Sequence, residues 1–241
     1  MNRTYAVGDV HGCHDLLMKA FNSIADDAEA HPDDEFQIVM LGDYVDRGPD
    51  SAEVVSTLMQ WEAKLIPGSF VCLKGNHESM MLMALRHEKE TRPWWERNGG
   101  RTTLASYASL AATEAAKLLS SHLDWVEKLP TGFLDLATSG RFYVHAGCHP
   151  SLPLEQQTEE HLLWIRDRFL DAEDEFRDWP HIVHGHSPTH LYENLPAGEP
   201  ALLNWRTNLD TGAFYTGVLT VGVFDGHGGP CTRTIKVTCD P

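Results

Sequence analysis

An α/β fold is predicted by three features of this 241-residue chain. Apolar, β-branched runs alternate with segments of helical periodicity over its first half, as βαβ units require. Each of those runs leads to a short motif that opens with Gly and carries Asp, Asn or His, which puts a turn at the carboxyl end of a strand. The last third is strand-rich: ALLNW, GVLTVGVF and TRTIKVT are separated by turn signals at residues 210–212 and 225–229.

The elements follow in order. TYAV (residues 4–7) leads into GDVHG (8–12), and residues 14–29 carry Leu16, Leu17, Ala20, Phe21 and Ile24 at helical spacing. A polar loop, HPDDE (31–35), precedes QIVML (37–41), which delivers GDYVDRG (42–48). A second helix is expected over 52–66, with Val55, Leu58 and Met59 on its apolar face and Pro67–Gly68 ending it. SFVCL (69–73) delivers GNHE (75–78). SMMLMALR (79–86) reads as helix, the charged stretch to Thr102 breaks the pattern, and 106–129 reads mainly as helix, ended by Pro130. Residues 79–130 are therefore expected to form a small helical cap inserted between strands. RFYV (141–144) leads into HAG (145–147), HLLWIRDRFL (161–170) is expected to be one helix, and HIV (181–183) leads into HGHS (184–187).

Composition bounds what this chain can do. With 42% hydrophobic and 22% charged residues, no repeats and no low-complexity linker, one domain over residues 1–241 is expected. No apolar run reaches the roughly 20 residues that span a bilayer. MNRTYAVGDV lacks the apolar core of a signal peptide. A cytoplasmic location and no membrane partner are the expectations. The balance of 19 basic and 35 acidic residues, a net charge of −16, argues against a nucleic-acid polymer as partner. An anionic substrate on such a body needs a locally positive pocket, which bound divalent cations and a few arginines can supply. Five cysteines with no CxxC pair are expected to be free thiols; Cys13 and Cys148 adjoin candidate ligands.

Asp9, His11, Asp43, Asn76, His145, His184 and His186 all stand just after an apolar run. An isolated strand-end Asp is commonly a turn former and an isolated buried His a core residue. Five strand ends repeating the pattern point instead to a metal centre. Carboxylate, imidazole and amide ligands without a thiolate suit Mn, Fe or Zn. Two divalent ions about 3.5–4 Å apart can both acidify a water and clamp phosphoryl oxygens, which phosphoester hydrolysis at neutral pH requires.

In the order GDVHG, GDYVDRG, GNHE, HAG and HGH, the chain resembles the phosphoprotein phosphatase family of metallophosphoesterases, and its bacterial and lambda-phage-like protein phosphatases in particular. The resemblance spans residues 7–186. It implies a calcineurin-like fold: a central β-sandwich of two mixed sheets flanked by helices. Periodicity by itself does not separate that sandwich from one doubly wound sheet. The resemblance also implies two divalent metal ions, Mn in the bacterial members. Asp9, His11 and Asp43 would hold the first; Asp43 would bridge to a second completed by Asn76, His145 and His186. Arg47 and Arg166 would grip the phosphate. His77 would protonate the leaving oxygen, with Asp46 orienting its ring. His184 is assigned to the core rather than to the metal.

The implied activity is serine/threonine protein phosphatase, with a phosphorylated protein or peptide as partner. The alternative is a symmetrical diadenosine tetraphosphatase or related nucleotide-polyphosphate hydrolase, which shares GDVHG, HAG and the pattern LDTG (209–212), Gly217 and Leu219–Thr220. Those enzymes usually have alanine where this chain has Asp46, GNHD where it has GNHE, and no clear counterpart of LLWIRDRF. The adjacent Trp94–Trp95 beside Gly99–Gly100 admits two readings: cap core, or an apolar lip on the substrate.

Overall fold

A computed structural model describes residues 2–136, 138–176 and 178–239. The apolar runs pair into two mixed sheets of five strands. In chain order the strands are β1 (Asn2–Val7), β2 (Glu35–Met40), β3 (Phe70–Cys72), β4 (Gly132–Asp135) and β5 (Arg141–Val144). They continue with β6 (His181–His184), β7 (Ala201–Leu202), β8 (Arg206–Asn208), β9 (Val218–Asp225) and β10 (Arg233–Thr238). One sheet has the order β10-β9-β1-β2-β3 and the other β4-β5-β6-β8-β7. In the first sheet β1, β2 and the edge strand β3 run parallel; β5, β6 and β8 do so at the centre of the second. The carboxyl ends of six parallel strands therefore carry the loops of the motifs.

Period-2 alternation explains the layering. In β1 and β2, Ala6 and Val39 point between the sheets, where they pack with Leu41, Leu73, Tyr143, Val183, Leu209 and Phe224. Their neighbours Tyr5, Val7, Ile38 and Met40 point outward into a second core. That core is covered by α1 (His14–Glu29), whose Leu16, Leu17, Ala20, Phe21 and Ile24 form one buried stripe, and by α2 (Ser51–Lys64). Each such side chain taken out of water contributes roughly 1.5–3 kcal/mol. The far face of the second sheet is covered by Leu162, Phe169 and Phe176. The result is the two-sheet sandwich, not one doubly wound sheet.

Between β3 and β4 lies the helical insertion. It contains α3 (Asn76–Leu82), α4 (Arg92–Trp95), α5 (Arg101–Ser106) and α6 (Ala112–Val126), with wide helical turns at Met83–His87 and Glu96–Gly100. The helix expected over 106–129 is shorter, Ala112–Val126, and is separated by a turn from α5, which ends at Ser106. The helix expected over 161–170 is also broken, into α7 (Glu159–Trp164) and α8 (Asp167–Leu170), with Arg166 between them at φ −134° and ψ −107°. Strands β4 and β8 were not expected; each is only 3 or 4 residues long and lacks a long apolar run. Among the described residues no helix is long and apolar enough to cross a membrane.

His122 pins the insertion to the body. It is 1% exposed on α6, with Nδ1 2.7 Å from the Tyr107 hydroxyl and Nε2 3.1 Å from Ser56 Oγ on α2. Burial lowers its pKa to about 4. The folded value lies below the unfolded one of about 6.5. Between these values the unfolded chain takes up a proton that the native state refuses, so stability falls as pH falls. The group accounts for up to about 3 kcal/mol across that window. In urea titrations at a series of pH values, His122→Gln is expected to flatten the loss between pH 6.5 and 4. An unchanged slope would refute this.

Candidate active site

The motif loops converge at one edge of the sandwich, and their backbones are strained there. Six non-glycine residues have positive φ among the described residues, and five belong to the motifs: His11 (44°), Asp43 (51°), Asp46 (73°), Arg47 (71°) and His186 (67°). Such conformations cost of order 1–3 kcal/mol each and persist where surrounding contacts impose them. Glu78 holds one of them, Asp43, and the residues that follow it. Fully buried on the first turn of α3, its carboxylate accepts backbone N–H groups from Asp43 (2.8 Å), Tyr44 (2.8 Å), Val45 (3.2 Å) and Gly75 (2.9 Å). Burial and the Asp43 charge push its pKa up to about 8, against the pull of those backbone donors. A Glu at the third helical position that caps the preceding N–H is a readable signal; the sequence reading used Glu78 only to tell families apart.

Two groups of three ligand atoms lie within 4.8 Å of one another: His11, Asp43 and His77, and Asp43, His145 and His186. All are buried, and Asp43 is common to both. His11 Nδ1 donates to the Val45 carbonyl (3.0 Å) and His145 Nδ1 to the Leu41 carbonyl (2.9 Å). Each ring is thereby held in the tautomer whose Nε2 lone pair faces inward. His11 Nε2 is 3.4 Å from Asp43 Oδ2, and His145 Nε2 is 3.3 Å from Asp43 Oδ1 and 2.9 Å from Asn76 Oδ1. His186 Nδ1 meets the same Asn76 oxygen at 2.9 Å. Asp9 Oδ2 accepts the His186 backbone N–H at 3.0 Å. Asp9 Oδ1 and His186 Nε2 are buried without a hydrogen-bond partner. Gly185 permits that approach, because a Cβ there would collide with Asp9 Oδ1.

Electrostatics match this picture. Burial lowers the pKa of His11, His145 and His186, keeping the imidazoles neutral. Burial would raise Asp43, but His145, His77, His11 and His186 hold it well below the usual carboxylate range. Asp9 is pushed well above that range by burial, then by Asp210 and Asp43. Burial also pushes Asp210 up to about 6. Lone pairs facing lone pairs and an uncompensated carboxylate are the arrangement a cation reconciles, so the residues fit a divalent metal centre. His77 groups with His11 and Asp43, and Asp9 brings its unpartnered, buried Oδ1 against Gly185 on the same edge. Asp210, in the LDTG stretch just past β8, also lies close enough for its charge to act on Asp9, a place that its turn and family pattern do not by themselves predict.

On the same edge, Arg47 spans two imidazoles, with Nη1 2.6 Å from His11 Nε2 and Nη2 3.0 Å from His77 Nε2. His77 Nδ1 is 2.7 Å from Asp46 Oδ2, and its backbone N–H donates to Asp43 Oδ1 at 3.0 Å. Arg166, expected inside a helix, lies instead at the break between α7 and α8. That break lets its Nη1 donate to the His186 carbonyl (2.8 Å) and to Ser187 Oγ (3.1 Å). Its guanidinium carbon sits 4.5 Å from the Tyr192 ring centroid, and that of Arg47 is 5.7 Å from Tyr215.

His184 is fully buried, packs edge-on against Phe169 at 5.0 Å, and is absent from both ligand groups, as its core assignment requires. The tryptophan pair divides. Trp94 is half-exposed and stacks with Trp164 at 6.0 Å, so a lip remains open to it. Trp95 is fully buried, which excludes it from a lip. Cys148 is buried, and burial raises its thiol pKa; Cys13 is only partly buried and is pushed up to about 11. Neither is poised to be a thiolate nucleophile.

Known proteins are similar to this chain over most of its length. A family model described as calcineurin-like phosphoesterase matches residues 3–227. A bis(5'-nucleosyl)-tetraphosphatase PrpE [asymmetrical] of Oceanobacillus iheyensis is 29% identical over 233 residues, covering 89% of this chain and 85% of that protein. Serine/threonine-protein phosphatase 1 of Salmonella typhimurium is 27% identical over 224 residues, covering 90% and 89%. A solved serine/threonine phosphatase of Saccharomyces cerevisiae superimposes with a TM-score of 0.61 at 16% identity, over 99% of this chain and 81% of that one. That likeness shows the shared fold.

Proposed function

The chain belongs to the calcineurin-like phosphoesterase family and is a phosphoester hydrolase; from that premise we propose that its substrates are phosphomonoesters of serine and threonine side chains in proteins or peptides. The Asp46–His77 pair carries this reading. A serine or threonine alkoxide is a poor leaving group and must be protonated as the P–O bond breaks, whereas a phosphoanhydride expels a stable phosphate anion. A general acid contributes about 10²–10⁴-fold where the leaving group needs it. In this mechanism His77 Nε2 delivers the proton, and Asp46 receives the Nδ1–H and holds the ring.

Asp9, His11, Asp43, Asn76, His145 and His186 are the residues that would hold two divalent ions. The mixed oxygen and nitrogen donors without thiolate suit Mn, Fe or Zn, and the resemblance to bacterial protein phosphatases points to Mn among them. Such ions supply a hydroxide nucleophile and offset charge on the phosphoryl oxygens. Arg47 and Arg166 offer planar forks of donors to the remaining oxygens. The Arg47 donors now directed at His11 and His77 are ones a phosphate can accept in their place.

Hydrolysis of dinucleoside polyphosphates is the second reading, favoured by a specific observation. Half-exposed Tyr192 and Tyr215 lie over the two arginines, and Trp164 stacks on Trp94 beside His186. Exposed π-faces next to phosphate donors can stack a nucleobase. The similarity to the Oceanobacillus protein, named for that activity, adds support. Metal-stripped protein reloaded with Mn, assayed on a phosphoserine peptide, a phosphotyrosine peptide and diadenosine tetraphosphate, separates the readings. We expect kcat/KM for the phosphoserine peptide to exceed that for the dinucleotide by at least about tenfold, or 1.4 kcal/mol. Preference for the dinucleotide would overturn the protein-phosphatase reading.

A further inference from the structure

We propose that Trp95 and Thr103, both from the helical insertion, are positioning residues that aim the His77 acid by clamping Asp46. The inference rests on the reading of His77 as the acid. Asp46 is fully buried. Besides the His77 ring, its carboxylate receives the Trp95 indole N–H, at 2.9 Å to Oδ2 and 3.1 Å to Oδ1. The Thr103 hydroxyl donates to Oδ1 at 2.6 Å, and its oxygen lies 2.9 Å from the Asp46 backbone nitrogen as acceptor. Both oxygens of the carboxylate are thus occupied by fixed donors, two of the three from residues 49 and 57 positions downstream.

The clamp itself is held. Gly99, at φ +117°, brings the insertion against Arg47: a Cβ there would lie 2.7 Å from the Arg47 backbone nitrogen and 3.0 Å from Asp46 Cβ. The Arg47 N–H reaches the Gly99 carbonyl at 3.4 Å. One short segment therefore touches both the phosphate-gripping arginine and the carboxylate behind the acid. Without the indole N–H, Asp46 keeps only the Thr103 hydroxyl and the His77 ring as side-chain partners, its carboxylate is held less firmly, and the His77 ring follows it. The loss should appear where proton delivery matters and nowhere else.

Trp95→Phe retains an aromatic ring and removes the N–H; Thr103→Val is nearly isosteric and removes the hydroxyl. On the Mn-loaded full chain, each is expected to lower kcat on a phosphoserine peptide about 10–100-fold, the range for residues behind a functional group. Turnover of 4-nitrophenyl phosphate, whose leaving group needs little protonation, should fall less than about threefold, with KM nearly unchanged. Thr103→Ser should restore the peptide activity. In the metal-free protein, the downfield His77 Nδ1–H proton resonance should shift or broaden in Trp95→Phe and Thr103→Val. Equal losses on both substrates in both variants, or no loss, would overturn the proposal. If Trp95→Phe fails to fold, Thr103→Val and its serine rescue decide. His77→Asn separates the two readings. Should it fall equally on both substrates, the acid assignment fails and takes the clamp with it. Should it discriminate while the clamp variants do not, only the clamp fails.

Discussion

Asparagine in place of Asp43 is expected to lower kcat/KM on every phosphoester by about 10³-fold or more, several kcal/mol of transition-state stabilisation. Asp43 is the one residue common to both ligand groups, and its carboxylate is the charge around which four histidines are arranged. Asparagine preserves the shape, tolerates the positive φ of 51° at this position, and keeps an oxygen to accept the His77 backbone N–H. The fold should therefore survive while the charge is lost. Circular dichroism should match wild type, and calorimetric titration with Mn should show weakened binding and reduced stoichiometry. Activity within about tenfold of wild type would refute the assignment of Asp43 as the shared ligand.

The second large effect is expected at Glu78. Its carboxylate gathers four backbone N–H donors from the Asp43 loop and the start of α3. Glu78→Ala removes every acceptor at once and leaves buried donors unsatisfied, at about 1–3 kcal/mol for each one that finds no water. We expect a destabilisation of about 4 kcal/mol in urea unfolding, in the exceptional range for a point change. Glu78→Gln is the sharper probe. It keeps the size but turns an N–H₂ group toward N–H donors, so the loop holding Asp43 shifts even where the protein remains folded. Activity should drop by about 10–100-fold with a smaller loss of stability. A Glu78→Ala protein as stable and as active as wild type would mean the loop conformation is held by other contacts.

Much of the site was legible because its residues are local to strand ends. An apolar run announces a buried strand, a turn containing Gly announces its end, and the candidate ligands lie in that turn; residues 8–12, 42–48, 75–78, 145–147 and 184–187 all obey this. The helix at His14–Glu29 was equally legible, since its stripe follows from spacing alone. Arg166 shows the limit. LLWIRDRF has a helical pattern, yet the chain breaks at Arg166, and the break goes with guanidinium contacts to the His186 carbonyl and Ser187, 20 and 21 residues away. A periodicity argument has no access to a contact at that separation.

The same distinction covers Trp95 and Thr103, which read as cap packing and as an unremarked threonine until the fold brings them onto Asp46. It also covers the architecture. Runs such as QIVML are apolar on both faces, because one face meets helices and the other meets a second sheet. A doubly wound sheet would bury both faces too, against helices alone, and would leave the same pattern. By itself, then, the sequence determined where strands end, which residue types stand there, and that they can bind metal and phosphate. Only the tertiary structure decided that the strands form two facing sheets, which ligand atoms come within reach of one another around Asp43, and that the insertion reaches Asp46. Those are properties of pairing and contact between distant segments, for which local composition carries no record.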